Sequence, residues 1–174
     1  MEGTRQDLIL LIAGSGPSSQ LRSYVKLVRE RGVDEHAVFT GAVKYEHVGT
    51  LMALASVVVL PAYHEPFGLV VLEALACGCR IVVTDQGGPA SFIPEGLKDR
   101  GYVSIVQGLP TLKPTPSTAR RFVDDLAKAI ADQVGLPLNR EIRREISTSV
   151  SHLTWTAYVE KLERLYREVL IPVC

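Results

Sequence analysis

Residues 57–85 read VVVLPAYHEPFGLVVLEALACGCRIVVTD, and the pattern is strand, loop, helix, strand. The apolar, β-branched run Val57 to Leu60 stops at Pro61, which cannot donate to a central ladder. Gly68 opens a helix running through about Cys77, Gly78 closes it, and Ile81 to Thr84 form the next buried strand. Glu65 lies in the loop before this helix and Glu73 a turn and a half inside it, so both can face one crevice above the strand ends. Between them Phe67, Gly68 and Leu69 are expected to present unpaired amides at a helix N-terminus, where the helix dipole favours an anion. The arrangement suits a phosphate flanked by hydroxyl-rich groups.

Working outward, Leu8 to Ala13 is an apolar strand ending at Gly14-Ser15-Gly16-Pro17. A helix follows from about Ser18 to Arg31, with Pro17 suited to its first position and Leu21, Tyr24, Val25 and Val28 as its apolar stripe. Ala37 to Thr40 is a short strand closed by Gly41, and Tyr45 to Ala55 is helical. Beyond Thr84 come the loop Asp85 to Pro89, one helical turn at Ala90 to Ile93, a last strand at Tyr102 to Val106, and an exposed connection from Gln107 to Pro116. The C-terminal part, about residues 117–170, is helical. Phe122, Leu126, Ala129 and Ile130 share a face, Asn139 caps a second helix, and Thr154 caps a third carrying Trp155, Tyr158, Val159, Leu162, Leu165, Tyr166 and Val169. Strands alternating with helices through short Gly/Pro loops predict a single α/β domain over residues 1–174. It is a Rossmann-like parallel sheet with helices on both faces and its ligand beyond the carboxyl ends of the strands.

Composition narrows the partners. Nineteen basic and nineteen acidic side chains cancel, so no net field points to nucleic acid. No apolar run approaches the ~20 residues that span a bilayer, and Met1 to Asp7 lacks the apolar core of a signal peptide. Cys77, Cys79 and Cys174 are odd in number, and the C-G-C spacing suits neither a disulfide framework nor a zinc pair; buried thiols in a reducing cytoplasm are the expectation. His36, His47 and His152 have no partners in sequence, and no metal is expected.

Two nucleotide motifs fail. Gly14-x-Gly16 follows a strand, but Ser19 holds the third glycine position of a dinucleotide fingerprint and Thr40-Gly41 stands where its acidic residue belongs. No G-K-[ST] occurs. By contrast HEPFGLVVLEALACG, residues 64–78, resembles the E-x7-E signature of retaining glycosyltransferases of family 4. LIAGSGP, VFTGAV, VVVLPA, IVVTDQGG and a late LTW agree with it in order and spacing, from about Leu8 to Leu170.

The resemblance implies the C-terminal, donor-binding half of a GT-B fold that lacks its first strand-helix unit, with a nucleotide-diphosphate sugar as substrate and no cofactor. By it, Glu73 would hold the ribose hydroxyls, and Glu65, the catalytic candidate, would sit near the transferred sugar. The amides of Phe67, Gly68 and Leu69 would meet the sugar and diphosphate, and Gly14, Ser15, Gly16, Gly41 and Val43 would wall the base. His64 is a candidate sugar contact, and Gly87 and Gly88 lie near the phosphates or simply make a turn. No protein nucleophile is named, since retention in the family is assigned to attack on the leaving-group face.

Departures from the family pattern qualify this. Pro66 replaces a frequent glycine and Ser91 a frequent glutamate. The acceptor-binding domain and the arginine and lysine that clamp the diphosphate precede the matching motifs in the family, and Arg5 sits too close to Leu8 to replace the arginine. The expectation is therefore little transfer activity without an acceptor domain or partner chain, and a cytoplasmic location that becomes membrane-peripheral through the missing domain. In the family a strand lies between those matching Leu8–Ala13 and Val57–Leu60. Here the two should pair directly or accept a strand from another chain, making homo-oligomers through this gap or the last helix a further expectation.

Simpler readings stay beside these. Glu65 can merely cap the helix, Glu73 can pair with Arg80, and Arg140, Arg143 and Arg144 can form a solvated face. The competing functions are a non-catalytic subunit completing a partner chain and half of a GT-B-type epimerase. A phosphorylase would want a pyridoxal lysine, and Lys98 has no suitable context.

Overall fold

The computed structural model describes residues 8–170; Arg5 and Cys174 lie outside them. The chain divides into two compact units, Met1–Val48 and Gly49–Cys174. In the first, β1 (Leu10–Ala13) pairs in parallel with β2 (Ala37–Gly41) through α1 (Ser18–Glu30) and a 3-10 turn at Asp34–His36. Pro17 is the N-cap of α1 rather than its first helical residue: its extended ψ turns the chain in, and its carbonyl accepts from Gln20 N and Leu21 N at 2.9 and 3.2 Å. Of the expected stripe only Val25 and Val28 are half-buried, while Leu21 and Tyr24 are exposed. No described residue of this unit is fully buried, and β1 is exposed along its whole length despite the sequence Leu-Leu-Ile-Ala.

The second unit holds the core. β3 (Val57–Leu60), β4 (Arg80–Thr84) and β5 (Val103–Val106) form a parallel sheet in the order β3-β4-β5. The central strand β4 is buried at all five positions, as a continuous apolar run in a sheet covered on both faces requires. Side chains alternate across it. Val82 packs with Val106 and Ala129, backed by Phe122, Leu126 and Ile130 of α6 (Pro116–Gly135). The opposite face is covered by α3 (Leu69–Ala76), whose Val71, Ala74 and Leu75 are buried, and α3 in turn packs on α7 (Arg140–Ser149). α2 (Tyr45–Leu54), α4 (Pro89–Phe92), α5 (Glu95–Asp99) and α8 (Trp155–Leu170) complete the chain. α5 was not anticipated from the sequence: it is a single turn whose burial rests on Leu97 alone, too short for periodicity to reveal.

Helix ends follow the expected chemistry. Gly78, at φ +74°, closes α3 by donating to Leu75 O at 2.8 Å while Cys79 N reaches Ala74 O at 3.0 Å, the paired bonds of a left-handed glycine cap. A Cβ at Gly78 would stand 2.6 Å from the Arg143 carbonyl oxygen, so the same glycine lets α7 approach. Asn139 Oδ1 accepts from Ile142 N at 2.9 Å and Thr154 Oγ1 from Ala157 N at 3.1 Å.

Among the described residues the ladder partner of β1 is β2 and that of β3 is β4. The apolar stripe of α8 lies exposed: the helix has no buried residue and Trp155 is 79% exposed. Arg143 does not lie on a solvated face. It turns inward, and Nη2 donates at 2.9 Å to the carbonyl of Ala55, the residue after α2. Arg140 and Arg144 are exposed, as expected. No helix among the described residues is long and apolar enough to cross a membrane.

Cys79 is a packing residue. Its fully buried thiol donates to Met52 O at 2.8 Å, and burial pushes its pKa from the ordinary 9.0 to about 11 against the opposing pull of Arg143. The folded protein therefore holds this proton where the unfolded chain has released it. The resulting stability is complete below about pH 9 and is lost as pH rises through about 11. Unfolding free energies from urea titrations across that window should fall by roughly 2 kcal/mol more for the wild type than for Cys79→Ala. Parallel curves for the two would show that the thiol does not carry the effect.

Candidate functional site

The site begins with two loops leaving the C-terminal ends of adjacent strands. The loop after β3 (residues 61–68) and the loop after β4 (residues 85–88) are laced together. Thr84 Oγ1 donates to Ala62 O at 2.7 Å, Gly88 N donates to Glu65 O at 2.8 Å, and Glu65 and Gly87 form an isolated parallel bridge. Contact is backbone on backbone. A Cβ at Gly87 would overlap the Glu65 carbonyl, 2.9 Å from its carbon, and one at Gly88 would overlap the Pro66 carbonyl and stand 2.9 Å from Phe67 Cα. Gly87 and Gly88 thus act by letting the loops touch, which the turn and phosphate readings both missed.

Gly68 is the N-cap of α3 at φ +65°, buried under the Pro89 ring, and its missing Cβ leaves room for that ring and for Glu65 Cγ. Pro89 starts α4, and Ser91 Oγ donates to Gly88 O at 2.6 Å, closing the loop from within; this is what serine does at the position where the family often has glutamate.

The amides expected to be unpaired are not all so. Glu65 folds back, and its Oε1 accepts from Gly68 N at 2.9 Å and Phe67 N at 3.4 Å. The carboxylate is three bonds from a backbone already pinned beside the helix start, so the nearest donors to it are these two amides. The Leu69 amide has no partner among the described residues. Phe67 and Leu69 themselves are exposed, so the helix start opens to solvent on that side.

Glu73 is half-buried within α3. It does not pair with Arg80, whose guanidinium is spent elsewhere: Nη1 donates to Gln133 O and Leu136 O at 3.3 and 2.8 Å, and Nη2 to Pro137 O at 2.6 Å. Among the described residues Glu73 enters no ion pair. Its field is felt one turn on, at Cys77, where burial first and Glu73 second raise the thiol pKa. His64 is exposed at φ +53°, a left-handed conformation rare for any residue but glycine, with its ring edge-on to Tyr63 at 4.4 Å. Lys98 is paired with Glu95 at 2.7 Å.

Sequence reasoning overlooked the supports. Thr84 ends the apolar run of β4, and a buried hydroxyl there had to find an acceptor, which was the available clue. Asp85 and Gln86 hold the next loop: Asp85 Oδ1 accepts from Gly108 N at 2.8 Å and Gln86 Nε2 donates to Leu109 O at 2.7 Å. They line a cleft of about 560 Å³ with Arg121, Phe122 and Asp125; the stretch after β5 is covered at Gly108 and Leu109 and otherwise largely exposed, as expected.

In the first unit, Gly14 and Gly41 end β1 and β2 and are joined by Gly14 N donating to Gly41 O at 2.9 Å, with φ +136° and +68°. Ser15 and Gly16 follow Gly14 into α1, and Val43 follows Gly41 before α2.

A parallel sheet covered by helices on both faces, with clamped loops at its strand ends, is the fold of the C-terminal part of GT-B glycosyltransferases. Sucrose-phosphate synthase from Thermosynechococcus elongatus superposes with a TM-score of 0.64 at 25% identity, over 92% of this chain and 38% of that one. The pneumococcal O-GlcNAc transferase GtfA, solved in complex with UDP and GlcNAc, does so with a TM-score of 0.66 over 95% of this chain and 30% of that one; at 19% identity it speaks for the fold alone.

The family model for glycosyl transferases group 1 matches residues 2–148, and the chain belongs to that family, whose members are the retaining enzymes of family 4. A D-inositol 3-phosphate glycosyltransferase of Saccharomonospora viridis is 33% identical over 173 residues, covering 97% of this chain and 36% of that protein. The N-acetyl-alpha-D-glucosaminyl L-malate synthase of Bacillus anthracis is 35% identical over 103 residues, 59% of this chain and 26% of that one. The chain thus spans about a third of the length of the curated relatives it matches over most of its own.

Proposed function

We propose that this chain binds the nucleotide-diphosphate-sugar donor of a retaining glycosyltransferase at the start of α3, and that transfer requires an acceptor-binding domain or partner chain. The observation that supports it most is the laced pair of loops holding a glycine-capped helix start at the carboxyl ends of β3 and β4, within a chain of this family. Glu73 holds the ribose hydroxyls: a half-buried carboxylate without an ion-pair partner has acceptor capacity to spare. The diphosphate lies against the amides of Phe67, Gly68 and Leu69, where the helix dipole stabilises the negative charge that grows on the leaving group. Glu65 and His64 border the sugar. The assignment of Gly14, Ser15, Gly16, Gly41 and Val43 to the base rests on the family resemblance.

The exposed run of β1 and the uncovered face of α8 favour a chain that works with further polypeptide, which makes the subunit reading a complement to donor binding. Titration of the chain with UDP, GDP and ADP and their sugars tests the proposal. One base should bind saturably, and Glu73→Ala should weaken that binding by about 10- to 100-fold, the worth of hydrogen bonds to a charged group. No saturable binding to any of the three would leave only the subunit role.

A further inference from the structure

The amides that the proposed function gives to the diphosphate already carry an anion. Glu65 Oε1 takes Gly68 N at 2.9 Å and Phe67 N at 3.4 Å, and a phosphate oxygen can reach those donors only after the carboxylate leaves. The backbone of Glu65 cannot leave with it. Its carbonyl accepts from Gly88 N at 2.8 Å, it bridges Gly87, and the glycines leave no slack between the loops. What remains free is the Glu65 side chain, which can swing about its own torsions while the loop stays in place.

We propose that Glu65 is a placeholder anion that sets the preference of this site for an intact nucleotide sugar over the free nucleoside diphosphate, a reading that rests on the donor site proposed above. When a diphosphate takes the amides, the displaced carboxylate loses two donors and stands beside a new negative charge. A nucleotide sugar compensates the lost donors, because its hydroxyls donate to the displaced carboxylate. A free nucleoside diphosphate offers no such donors, and it carries one more negative charge on its terminal phosphate. The carboxylate therefore penalises the product selectively and returns to the amides as the product departs. No bond is made or broken in this exchange; only hydrogen bonds change partners.

The test compares the wild-type chain with Glu65→Ala and Glu65→Gln by calorimetric titration with UDP, GDP and ADP and with the corresponding sugar nucleotides. The glutamine variant keeps an acceptor for the Gly68 amide, and so a capped helix, while removing the charge. The expected result is that Glu65→Ala binds the free nucleoside diphosphate about tenfold more tightly than the wild type, with Glu65→Gln between them. Neither variant should gain for the sugar nucleotide, so the preference for the intact donor collapses. Unchanged or weaker nucleoside diphosphate binding in both variants would overturn the placeholder role. If Glu73→Ala still weakened binding in that case, the donor site would stand without it. A wild type and variants that all fail to bind any of these ligands would overturn both.

Discussion

Gly87→Ala is expected to destabilise the second unit by about 3–5 kcal/mol and to abolish nucleotide binding with it. Two costs add. The residue sits at φ +116°, where an L side chain is strained by ~1–3 kcal/mol. Its new Cβ would collide with the Glu65 carbonyl, a backbone atom that cannot swing aside, and overpacking of that kind costs ~1–3 kcal/mol more. Relief comes only by parting the two loops, which breaks the Gly88 N to Glu65 O bond and lifts Glu65 away from the start of α3. Gly96→Ala is the control: in α5 a Cβ meets nothing within 4 Å, and alanine there should be neutral or stabilise by ~0.5–1 kcal/mol. Urea unfolding followed by far-ultraviolet circular dichroism measures both, since the exposed Trp155 is a poor reporter of the core. A Gly87→Ala midpoint as close to wild type as that of Gly96→Ala would mean that the loops do not pack as described.

The second large effect belongs to Arg80, which is 3% exposed and is the only charged side chain among the fully buried described residues. Its guanidinium closes the C-terminal end of α6 by donating to the carbonyls of Gln133, Leu136 and Pro137, where the helix dipole welcomes a cation, and the Tyr102 ring lies 5.6 Å away. Burial lowers its pKa, yet an arginine remains charged at any pH the fold survives. Arg80→Met keeps the apolar stem and strands three carbonyls at a helix end, for an expected loss of about 3 kcal/mol. Arg80→Lys should lose about half as much, because an ammonium cannot span carbonyls held apart by a planar fork. Hydrogen exchange at the β4 amides gives the local readout; protection in Arg80→Met equal to wild type would show that α6 does not need this anchor.

Much of the architecture was legible because short-range rules govern it. The strands at Val57–Leu60 and Arg80–Thr84, the glycine that ends α3, and the asparagine and threonine caps of α7 and α8 depend on periodicity, φ and side-chain reach over a few residues. The candidate loops were located for the same reason: Pro61 and the glycines punctuate the chain at the strand ends. What those glycines do was not legible. Gly87 and Gly88 were weighed as a turn or a phosphate neighbour, but they accommodate Glu65, Pro66 and Phe67, some twenty residues back along the chain.

The order of elements, the parallel crossovers and the residues that could hold an anion were thus written in local sequence, where each preference is set by the residue itself and its immediate neighbours. The partners of the long polar side chains were settled by folding. Arg80 might have met Glu73 seven residues away, yet it meets carbonyls 53 to 57 residues further on. Arg143 turns to Ala55, 88 residues back. Glu65 takes the amides reserved for a ligand because the loop after β4 holds its backbone beside them. A long flexible side chain chooses among whatever donors and acceptors the assembled layers bring within 3 Å, and no spacing along the chain encodes that choice.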